Sequence, residues 1–244
     1  MNDKIVEVNE LTRNFGEFAA VDNITFEVTK GEIFGFLGAN GAGKTTAMRI
    51  LCGLLAPSSG TATVCGYDVA SQSEQIKLNI GYMSQKFSLF NDLSVWDNIS
   101  FYAGIYRMST AQIKQAGHQI LQELELGKYK HRLVSSLPLG WKQKLAFAIA
   151  IIHKPQLVFL DEPTGGVDPI TRRAFWDMIY RAAAENITVF VTTHYLDEAE
   201  YCDRISIMVK GKIGAIGTPQ ELKEQFRVQS IYDVILALAR GEEQ

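Results

Sequence analysis

The chain has 244 residues, a formal net charge of −3 and a hydrophobic share of 47%, which suits one large domain or a domain with an inserted subdomain. The weakly acidic balance gives no reason to expect nucleic acid as a partner. The longest apolar run, residues 145–152, is far shorter than the ~20 residues that cross a bilayer. Because the first residues lack an apolar segment of signal-peptide type, we expect the protein in the cytoplasm.

Residues 4–30 contain two short segments in which apolar and polar side chains alternate, at 5–8 and 24–28. Alternation with period two is typical of half-exposed antiparallel strands, which we expect beside the main sheet. Phe15 and Phe18 are expected in the turn between these strands. An aromatic ring there could stack on a nucleotide base, but a Phe in a turn often only covers a core, and the sequence leaves both interpretations open.

A glycine-rich loop follows an apolar run at 33–37 and precedes a predicted helix at 47–52. The loop matches the pattern G-x-x-x-x-G-K-[ST], which wraps the phosphates of a nucleoside triphosphate. Its residues are Gly38, Ala39, Asn40, Gly41, Ala42, Gly43, Lys44, Thr45 and Thr46. Glycines let backbone N–H groups turn towards phosphate oxygens at the start of a helix. Lys44 can reach the β- and γ-phosphates, and the Thr45 hydroxyl can ligate Mg²⁺.

The next apolar strand, predicted at 80–84, ends at Gln85. The Gln85 side chain is neutral and carries both a donor and an acceptor, so it could ligate Mg²⁺ or orient a water near the phosphates. Without that neighbourhood, Gln85 would be an ordinary loop residue.

From about residue 87 to residue 136, apolar residues recur at helical spacing, which predicts an inserted helical subdomain. Three large apolar residues, Phe87, Leu89 and Phe90, stand at its entry. They could form local core or a docking surface, and the pattern does not decide between the two.

The segment 137–144 reads Leu-Pro-Leu-Gly-Trp-Lys-Gln-Lys and leads into an apolar helix. Pro138 cannot lie inside a helix, so we predict that the helix begins near Gly140 or Trp141. The exposed N-terminus of such a helix binds an anion if one faces it.

A second strong signal is the apolar strand predicted from residue 157, which delivers Asp161 and Glu162 at its carboxyl end. Ligands of open α/β sheets bind at that edge. Asp161 can hold Mg²⁺ through water, and Glu162 is then placed to accept a proton from an attacking water. Asp168 precedes Pro169, where a further helix is predicted to begin.

A third buried strand, predicted at 187–191, leads to His194. A lone His is usually structural, but one at this edge of the sheet could donate a hydrogen bond to the γ-phosphate. A strand at 204–209, a hairpin turn at 210–211 and a single helix past Leu222 complete the predicted elements.

In this order, the motifs resemble those of the nucleotide-binding subunits of ABC transporters over essentially the whole chain. The resemblance implies an α/β P-loop NTPase core with a parallel sheet, a small antiparallel β subdomain and an inserted α-helical subdomain. In one nucleotide-binding domain, the implied divisions are a core at 1–85 and 155–225, a helical subdomain at 86–154, and a C-terminal helix and tail at 226–244.

The resemblance also implies an ATPase that uses ATP and Mg²⁺. The implied site residues are Glu162, His194 and Gln85 for catalysis, Thr45, Gln85 and Asp161 for the metal, and Phe15, Gly140 and Asp168 beside the phosphate loop for the nucleotide. Phe15 would stack on adenine in this arrangement.

The implied assembly has two nucleotide-binding subunits that close head to tail on two ATP molecules. The segment 137–144 of one subunit would face the phosphate loop of the other. Closure and hydrolysis would drive a transmembrane permease held near Gln85, which places the subunit in the cytoplasm, peripheral on the inner face of the cell membrane.

One segment departs from the family pattern. Where members usually have Leu-Ser-Gly-Gly-Gln, this chain has Pro138 for Ser, Leu139 for the first Gly and Trp141 for Gln. The change removes a hydroxyl and a backbone N–H that would touch the opposite γ-phosphate, while Gly140 is kept. The Leu-Pro-Leu-Gly form looks like the drug-export branch, in which permeases are separate chains.

Two other functions compete with the transporter ATPase. A soluble ABC ATPase without a permease would act on ribosomes or DNA, but such proteins usually carry two cassettes or a long coiled-coil insert. A P-loop kinase would need an acceptor site that the insert does not offer, and Glu162 favours water. We therefore expect the ATPase of a multidrug or antibiotic exporter, whose permease would select the substrate.

Overall fold

The computed structural model describes residues 3–85 and 89–241. Within these residues the chain forms one antiparallel sheet, one mostly parallel sheet and a set of helices, which confirms the predicted α/β fold class. In the part of the chain that is described, no helix is both long and apolar enough to cross a bilayer.

The strands are β1 (Lys4–Phe15), β2 (Phe18–Thr29), β3 (Ile33–Leu37), β4 (Ser59–Val64), β5 (Tyr67–Asp68), β6 (Ile80–Met83), β7 (Leu157–Asp161), β8 (Thr188–Thr193), β9 (Arg204–Val209) and β10 (Lys212–Gly217). The helices are α1 (Lys44–Leu51), α2 (Ser73–Asn79), α3 (Val95–Ile105), α4 (Thr110–Glu123), α5 (Leu139–Ala150), α6 (Pro169–Ala184), α7 (Pro219–Gln225) and α8 (Ile231–Arg240).

The antiparallel sheet has the order β2-β1-β4-β5. Its first strand alternates as the sequence predicts, with Val6 and Val8 buried and Glu7 exposed. Phe15 and Phe18 are paired across the ends of β1 and β2. The expectation that they lie within the turn is therefore wrong, because both strands extend to the last residue that can still pair.

The larger sheet has the order β10-β9-β3-β8-β7-β6, and every pairing except that of β9 with β10 is parallel. β3, β7 and β8 are buried along their whole length, as expected for parallel strands covered on both faces. Because the carboxyl ends of parallel strands meet at one edge, the loops after β3, β6, β7 and β8 converge there. Those loops contain the phosphate loop and the predicted catalytic residues Gln85, Glu162 and His194.

Aromatic packing fixes the two sheets against each other. The Phe26 ring of β2 stacks on Phe34 of β3, with 5.7 Å between ring centroids, and packs at 5.6 Å from Phe36. Phe190 of β8 lies 5.4 Å from Phe34. The phosphate loop therefore begins at the end of a strand held rigidly between two layers.

The helices between β6 and β7 pack on the parallel sheet rather than forming a separate core. Val95, Ile99 and Leu121 belong to the same buried cluster as Leu145 of α5 and Leu160 of β7. Ser94 caps α3, and Ser109 forms a capping box at α4. Neighbouring residues in the sequence therefore determine where both helices begin. The division at 86–154 remains a prediction.

The predicted start of α5 is confirmed to within one residue, whereas the prediction of a single C-terminal helix is wrong. The helix α5 begins at Leu139, with Pro138 as its N-cap, one residue before the predicted start. A proline can stand there because the first N–H groups of a helix have no intrahelical partner. The end of the chain forms α7 and α8 instead of one helix, since Arg227 adopts a positive φ of 55° and Ser230 caps a new helix.

Candidate functional site

The phosphate loop requires glycine at two positions for steric reasons. A Cβ on Gly38 would lie 2.4 Å from the carbonyl oxygen of Met208, and one on Gly43 would lie 2.2 Å from that of Ala20. Both residues also have positive φ, 153° and 107°. Close backbone approach and left-handed conformation together leave glycine as the only residue that fits, and Gly43 directly precedes α1.

Lys44 lies inside the loop that it terminates. Its side chain is 4% exposed, and Nζ donates to the carbonyl oxygens of Gly38 at 2.7 Å and Ala39 at 3.2 Å. Burial lowers the pKa of Lys44, and the carboxylates of Glu162 and Asp161 oppose that shift. An ammonium group held in this position is available to phosphate oxygens that enter the loop.

Asp161 lies at the end of β7 and is almost fully buried. Its Oδ1 accepts hydrogen bonds from Thr192 Oγ1 at 2.7 Å and from Thr45 Oγ1 at 3.2 Å. Burial raises the pKa of Asp161, and these two hydroxyls oppose the shift. A cation beside this carboxylate would offset the cost of burying its charge.

The donor set beside the phosphate loop suits Mg²⁺, which takes hard oxygen ligands and is commonly held by one or two carboxylates together with substrate phosphates. Thr45 and Asp161 supply a hydroxyl and a carboxylate in mutual contact. Among the described residues, no group of three or more His, Cys, Asp and Glu forms a metal site by itself. Phosphate oxygens would therefore have to complete the coordination.

Glu162 directly follows Asp161 and is the point at which the predicted residues meet. Its side chain is 9% exposed. The carboxylate Oε2 accepts from Gln85 Nε2 at 2.8 Å and lies 3.0 Å from His194 Nδ1, while Oε1 lies 3.7 Å from Lys44 Nζ. Three other segments at the sheet edge thus place their functional side chains around the Glu162 carboxylate.

A cavity of about 400 Å³ opens beside Glu162. It is lined by loop residues and by the start of α5, among them Asn40, Gln85, Leu139, Gln143, Gly166 and His194. This volume lies in the range of small-molecule sites. The space next to the predicted base is therefore large enough for the end of a nucleotide and for water.

Two predicted nucleotide contacts, Phe15 and Asp168, have partners elsewhere in the structure. Phe15 is 50% exposed at the end of β1, and the guanidinium of Arg13 lies 4.8 Å from its ring. The Asp168 carboxylate accepts from the backbone N–H groups of Ile170 and Thr171 and caps α6. These contacts show a local role for Asp168, and its contact with nucleotide remains a prediction.

Gly140 is a residue at which a test by substitution is compromised. A Cβ there would lie 2.5 Å from Cγ2 of Thr171, so any side chain at 140 requires Thr171 or the backbone to move. Whether Gly140 faces nucleotide must therefore be tested through its neighbours.

Sequence reasoning missed a buried network beneath the site. The Thr164 hydroxyl donates to Oε1 of the fully buried Glu198 at 2.6 Å, and Nε of Arg172 lies 3.8 Å from the same oxygen. The Arg172 guanidinium also lies over the Tyr195 ring at 3.8 Å. The network joins the loop after Glu162 to the loop after His194, and no local pattern in the sequence indicates it.

The comparisons with known proteins agree with this geometry. A family model described as "ABC transporter" matches residues 21–165. The probable multidrug ABC transporter ATP-binding protein YbhF of Escherichia coli is 46% identical over 223 residues, which are 91% of this chain and 39% of that protein. The Nod factor export ATP-binding protein I of Rhizobium meliloti is 35% identical over 90% of this chain and 66% of its own length. This chain thus spans well under half of YbhF.

Solved structures show the same likeness over whole chains. An ATP-binding subunit of an ABC transporter superposes with a TM-score of 0.87 at 27% identity, covering 96% of this chain and 99% of that one. The cbiO1 protein of Clostridium perfringens, part of an ABC transporter complex, gives a TM-score of 0.81 at 28% identity, covering 98% and 97%. The chain belongs to the ABC transporter family and contains its nucleotide-binding ATP-binding domain. ATPase activity is characteristic of these transporters.

Proposed function

We propose that this chain is the ATP-hydrolysing subunit of an exporter, that it works as a dimer, and that it couples ATP-driven closure to a separate permease. The observation that carries the proposal is the convergence of Lys44, Gln85 and His194 on the Glu162 carboxylate. A buried carboxylate next to a phosphate-binding loop is placed to remove a proton from water.

In the proposed reaction, the phosphate loop and Lys44 would hold the triphosphate, and the Thr45 hydroxyl and Asp161 would hold Mg²⁺. Bound Mg²⁺ would neutralise charge that develops on the phosphate oxygens. Glu162 accepts the proton of the attacking water as the water oxygen forms its bond to the γ-phosphorus and the bond to ADP breaks. Gln85 and His194 orient that carboxylate, and His194 can donate to the phosphoryl group.

The proposed second subunit supplies what one chain lacks at the phosphates. Pro138 and Leu139 begin α5 at the surface, and Leu139 is 42% exposed. The start of this helix presents the unpaired N–H groups that the first turn of every helix has. A head-to-tail partner would bring this helix end to the phosphate loop of the other chain.

The residues proposed to contact the permease differ from those at the entry of the helical subdomain that the sequence indicated. Phe87 lies outside the described residues, and Leu89 is 5% exposed, so Leu89 belongs to the core. Phe90 and Phe101 are 42% and 47% exposed, and their rings are 5.1 Å apart in an edge-to-face arrangement. This exposed aromatic pair, of which Phe90 lies five residues after Gln85, is a candidate surface for a cytoplasmic helix of a permease.

The exporter assignment rests on two relatives, a probable multidrug ABC transporter ATP-binding protein and a Nod factor export ATP-binding protein. A permease partner would hold this subunit at the cytoplasmic face of the membrane. Purification of the tagged chain from membranes, followed by identification of the proteins retained, tests that partnership. Recovery of the chain without any membrane protein would favour the soluble ABC ATPase.

The hydrolytic role is tested with Glu162→Gln. This substitution removes the base but keeps the size of the side chain, and losing a general base costs about 10²–10⁴ in rate. We expect the variant to bind ATP with affinity near that of the unsubstituted chain and to hydrolyse it at the background rate. Hydrolysis within about threefold of the original rate would remove Glu162 from this role.

A further inference from the structure

One buried hydroxyl links the carboxylate of Asp161 to the backbone of Glu162. Thr192 is fully buried in β8 and pairs with Asp161 in the register of β7 and β8. Its Oγ1 donates to Asp161 Oδ1 at 2.7 Å and accepts from the backbone N–H of Glu162 at 3.0 Å. A hydroxyl has one donor and two acceptor sites, so Thr192 Oγ1 can form both bonds at the same time. With both bonds formed, the hydroxyl group is held in one orientation.

The first of these bonds sets the orientation of Asp161. Thr192 and Thr45 both donate to the same oxygen, Oδ1. Thr45 is also a predicted metal ligand, so its hydroxyl would turn from Asp161 towards Mg²⁺ when the ion is bound. Thr192 lies in a strand and has no such second task, and its bond would then be the one that keeps the carboxylate aimed.

The second bond holds the backbone of Glu162 in an uncommon conformation. Glu162 has a φ of 48°, in the left-handed region that residues other than glycine adopt rarely and mainly where the surroundings enforce it. Its N–H is held by both the carbonyl oxygen of Thr192, at 3.1 Å, and the Thr192 hydroxyl. This conformation turns the chain away from β7 and directs the Glu162 side chain towards Gln85 and His194.

We propose that Thr192 is a positioning residue for ATP hydrolysis, which acts by fixing the predicted metal ligand Asp161 and the predicted base Glu162 relative to each other. The inference rests on the proposed hydrolytic function. It assigns to one hydroxyl a role in both metal binding and water activation, which Thr192 exerts through Asp161 and Glu162.

The same strand offers a matched control. Thr188 is also buried in β8, four residues before Thr192, and therefore points to the same face of the sheet. Its hydroxyl accepts from the backbone N–H of Gly31 at 2.9 Å, away from the carboxylates. Thr188→Val and Thr192→Val each replace a hydroxyl by a methyl group, so a general effect on strand packing should appear in both variants.

The experiment compares Thr192→Val, Thr192→Ser and Thr188→Val. The measurements are the thermal midpoint, kcat and KM for ATP, and Mn²⁺ binding in the presence of a non-hydrolysable ATP analogue, followed by electron paramagnetic resonance. For Thr192→Val, we expect kcat and Mn²⁺ affinity to fall about tenfold or more, as for a lost hydrogen bond to a charged group, with KM within about threefold. For Thr192→Ser and Thr188→Val, kcat, KM and Mn²⁺ affinity should stay within about threefold of those of the original chain.

The inference is contradicted if a folded Thr192→Val variant keeps the original kcat and Mn²⁺ affinity, or if Thr188→Val loses as much as Thr192→Val. If Thr192→Val does not fold, the comparison of Thr192→Ala with Thr192→Ser replaces it with the same expectations. If the unsubstituted chain itself does not hydrolyse ATP, the proposed function fails. The Mn²⁺ titration then still decides whether Thr192 positions Asp161.

Discussion

The phosphate side of the site and the start of α5 are built in different ways. On the phosphate side, Lys44 and Asp161 are buried and are held by short hydrogen bonds from their own chain. At the start of α5, Leu139 is 42% exposed, and Pro138 has neither a side-chain donor nor a backbone N–H. We predict both regions to bind nucleotide, the first within one chain and the second across a contact with another chain.

Substitutions in these two regions should therefore have different effects on the stability of the chain. A substitution among buried, hydrogen-bonded groups leaves an unsatisfied partner, which costs about 1–3 kcal/mol or more. A substitution at an exposed helix start changes little within the chain itself, so Pro138 and Leu139 are compatible with the fold. Their effect would be felt only by whatever meets that surface, and the following experiments separate the two regions.

The largest effect should come from the centre of the phosphate loop. Lys44→Ala removes an ammonium that could make two hydrogen bonds to phosphates, each contributing about 1.5–3 kcal/mol. We expect ATP affinity to fall by about 100-fold or more, measured by calorimetry. Lys212→Ala is a suitable control, because Lys212 lies on β10 and its side chain is 67% exposed. A Lys44→Ala variant that binds ATP normally would contradict the assembly described for this region.

A smaller loss of rate should follow when Glu162 loses one of its neighbours. Gln85→Ala and His194→Ala each remove a nitrogen that faces the same oxygen, Oε2 of Glu162. We expect kcat to fall about 10–100-fold in each variant while ATP affinity changes only about threefold.

The double variant sharpens this prediction. Because both nitrogens act on one oxygen, the combined loss should differ from the product of the two single losses. If the losses multiply and both single effects are small, Gln85 and His194 do not orient the base.

Substitution at the start of α5 should strengthen the contact between chains without changing the phosphate side. Pro138→Ser combined with Leu139→Gly restores a hydroxyl and an N–H, and a hydrogen bond to a charged group contributes roughly 1.5–3 kcal/mol. In a Glu162→Gln background we expect ATP-dependent dimerisation to tighten about tenfold or more, measured by sedimentation. Leu133→Ser is a control, because Leu133 is also exposed but lies outside this helix start. An unchanged dimerisation constant would show that this surface does not meet nucleotide.

The smallest change in the isolated protein should come from the aromatic surface. Phe90→Ser with Phe101→Ser removes two half-exposed rings and should weaken retention on membranes about fivefold while leaving the soluble ATPase rate unchanged. Leu89→Ser should instead destabilise the fold, because replacing a buried Leu costs about 2–5 kcal/mol. A double variant that unfolds, or one that stays fully on membranes, would remove this surface from the proposed permease contact.

Much of the fold and of the site could be predicted, because the strongest features are local. The glycine-rich loop, the apolar run ending in Asp161 and Glu162, and the helix start at Pro169 are each encoded by neighbouring residues. Their convergence also followed, since parallel strands end at one edge. ATPase membership is confirmed by the family comparison, whereas the individual residue roles remain predictions.

What could not be predicted depends on contacts between distant residues. The bond of Thr192 to Asp161 spans 31 positions, and the clash that a side chain at Gly140 would make with Thr171 also spans 31 positions. The C-terminal segment is divided at Arg227 by a positive φ, and an Arg in a sequence does not indicate that conformation. Leu89 and Phe90 are adjacent and equally apolar, and only the packed structure separates core from surface.

The central claim is that one chain holds the phosphates and a second chain must complete the site. The most direct test is the molar mass of Glu162→Gln by size-exclusion chromatography with light scattering, with and without Mg²⁺ and ATP. We expect a dimer with ATP and a monomer without it. When Lys44→Ala is added, we expect a monomer in both conditions. A Glu162→Gln chain that binds ATP, as shown by calorimetry, and remains monomeric at high concentration would contradict it.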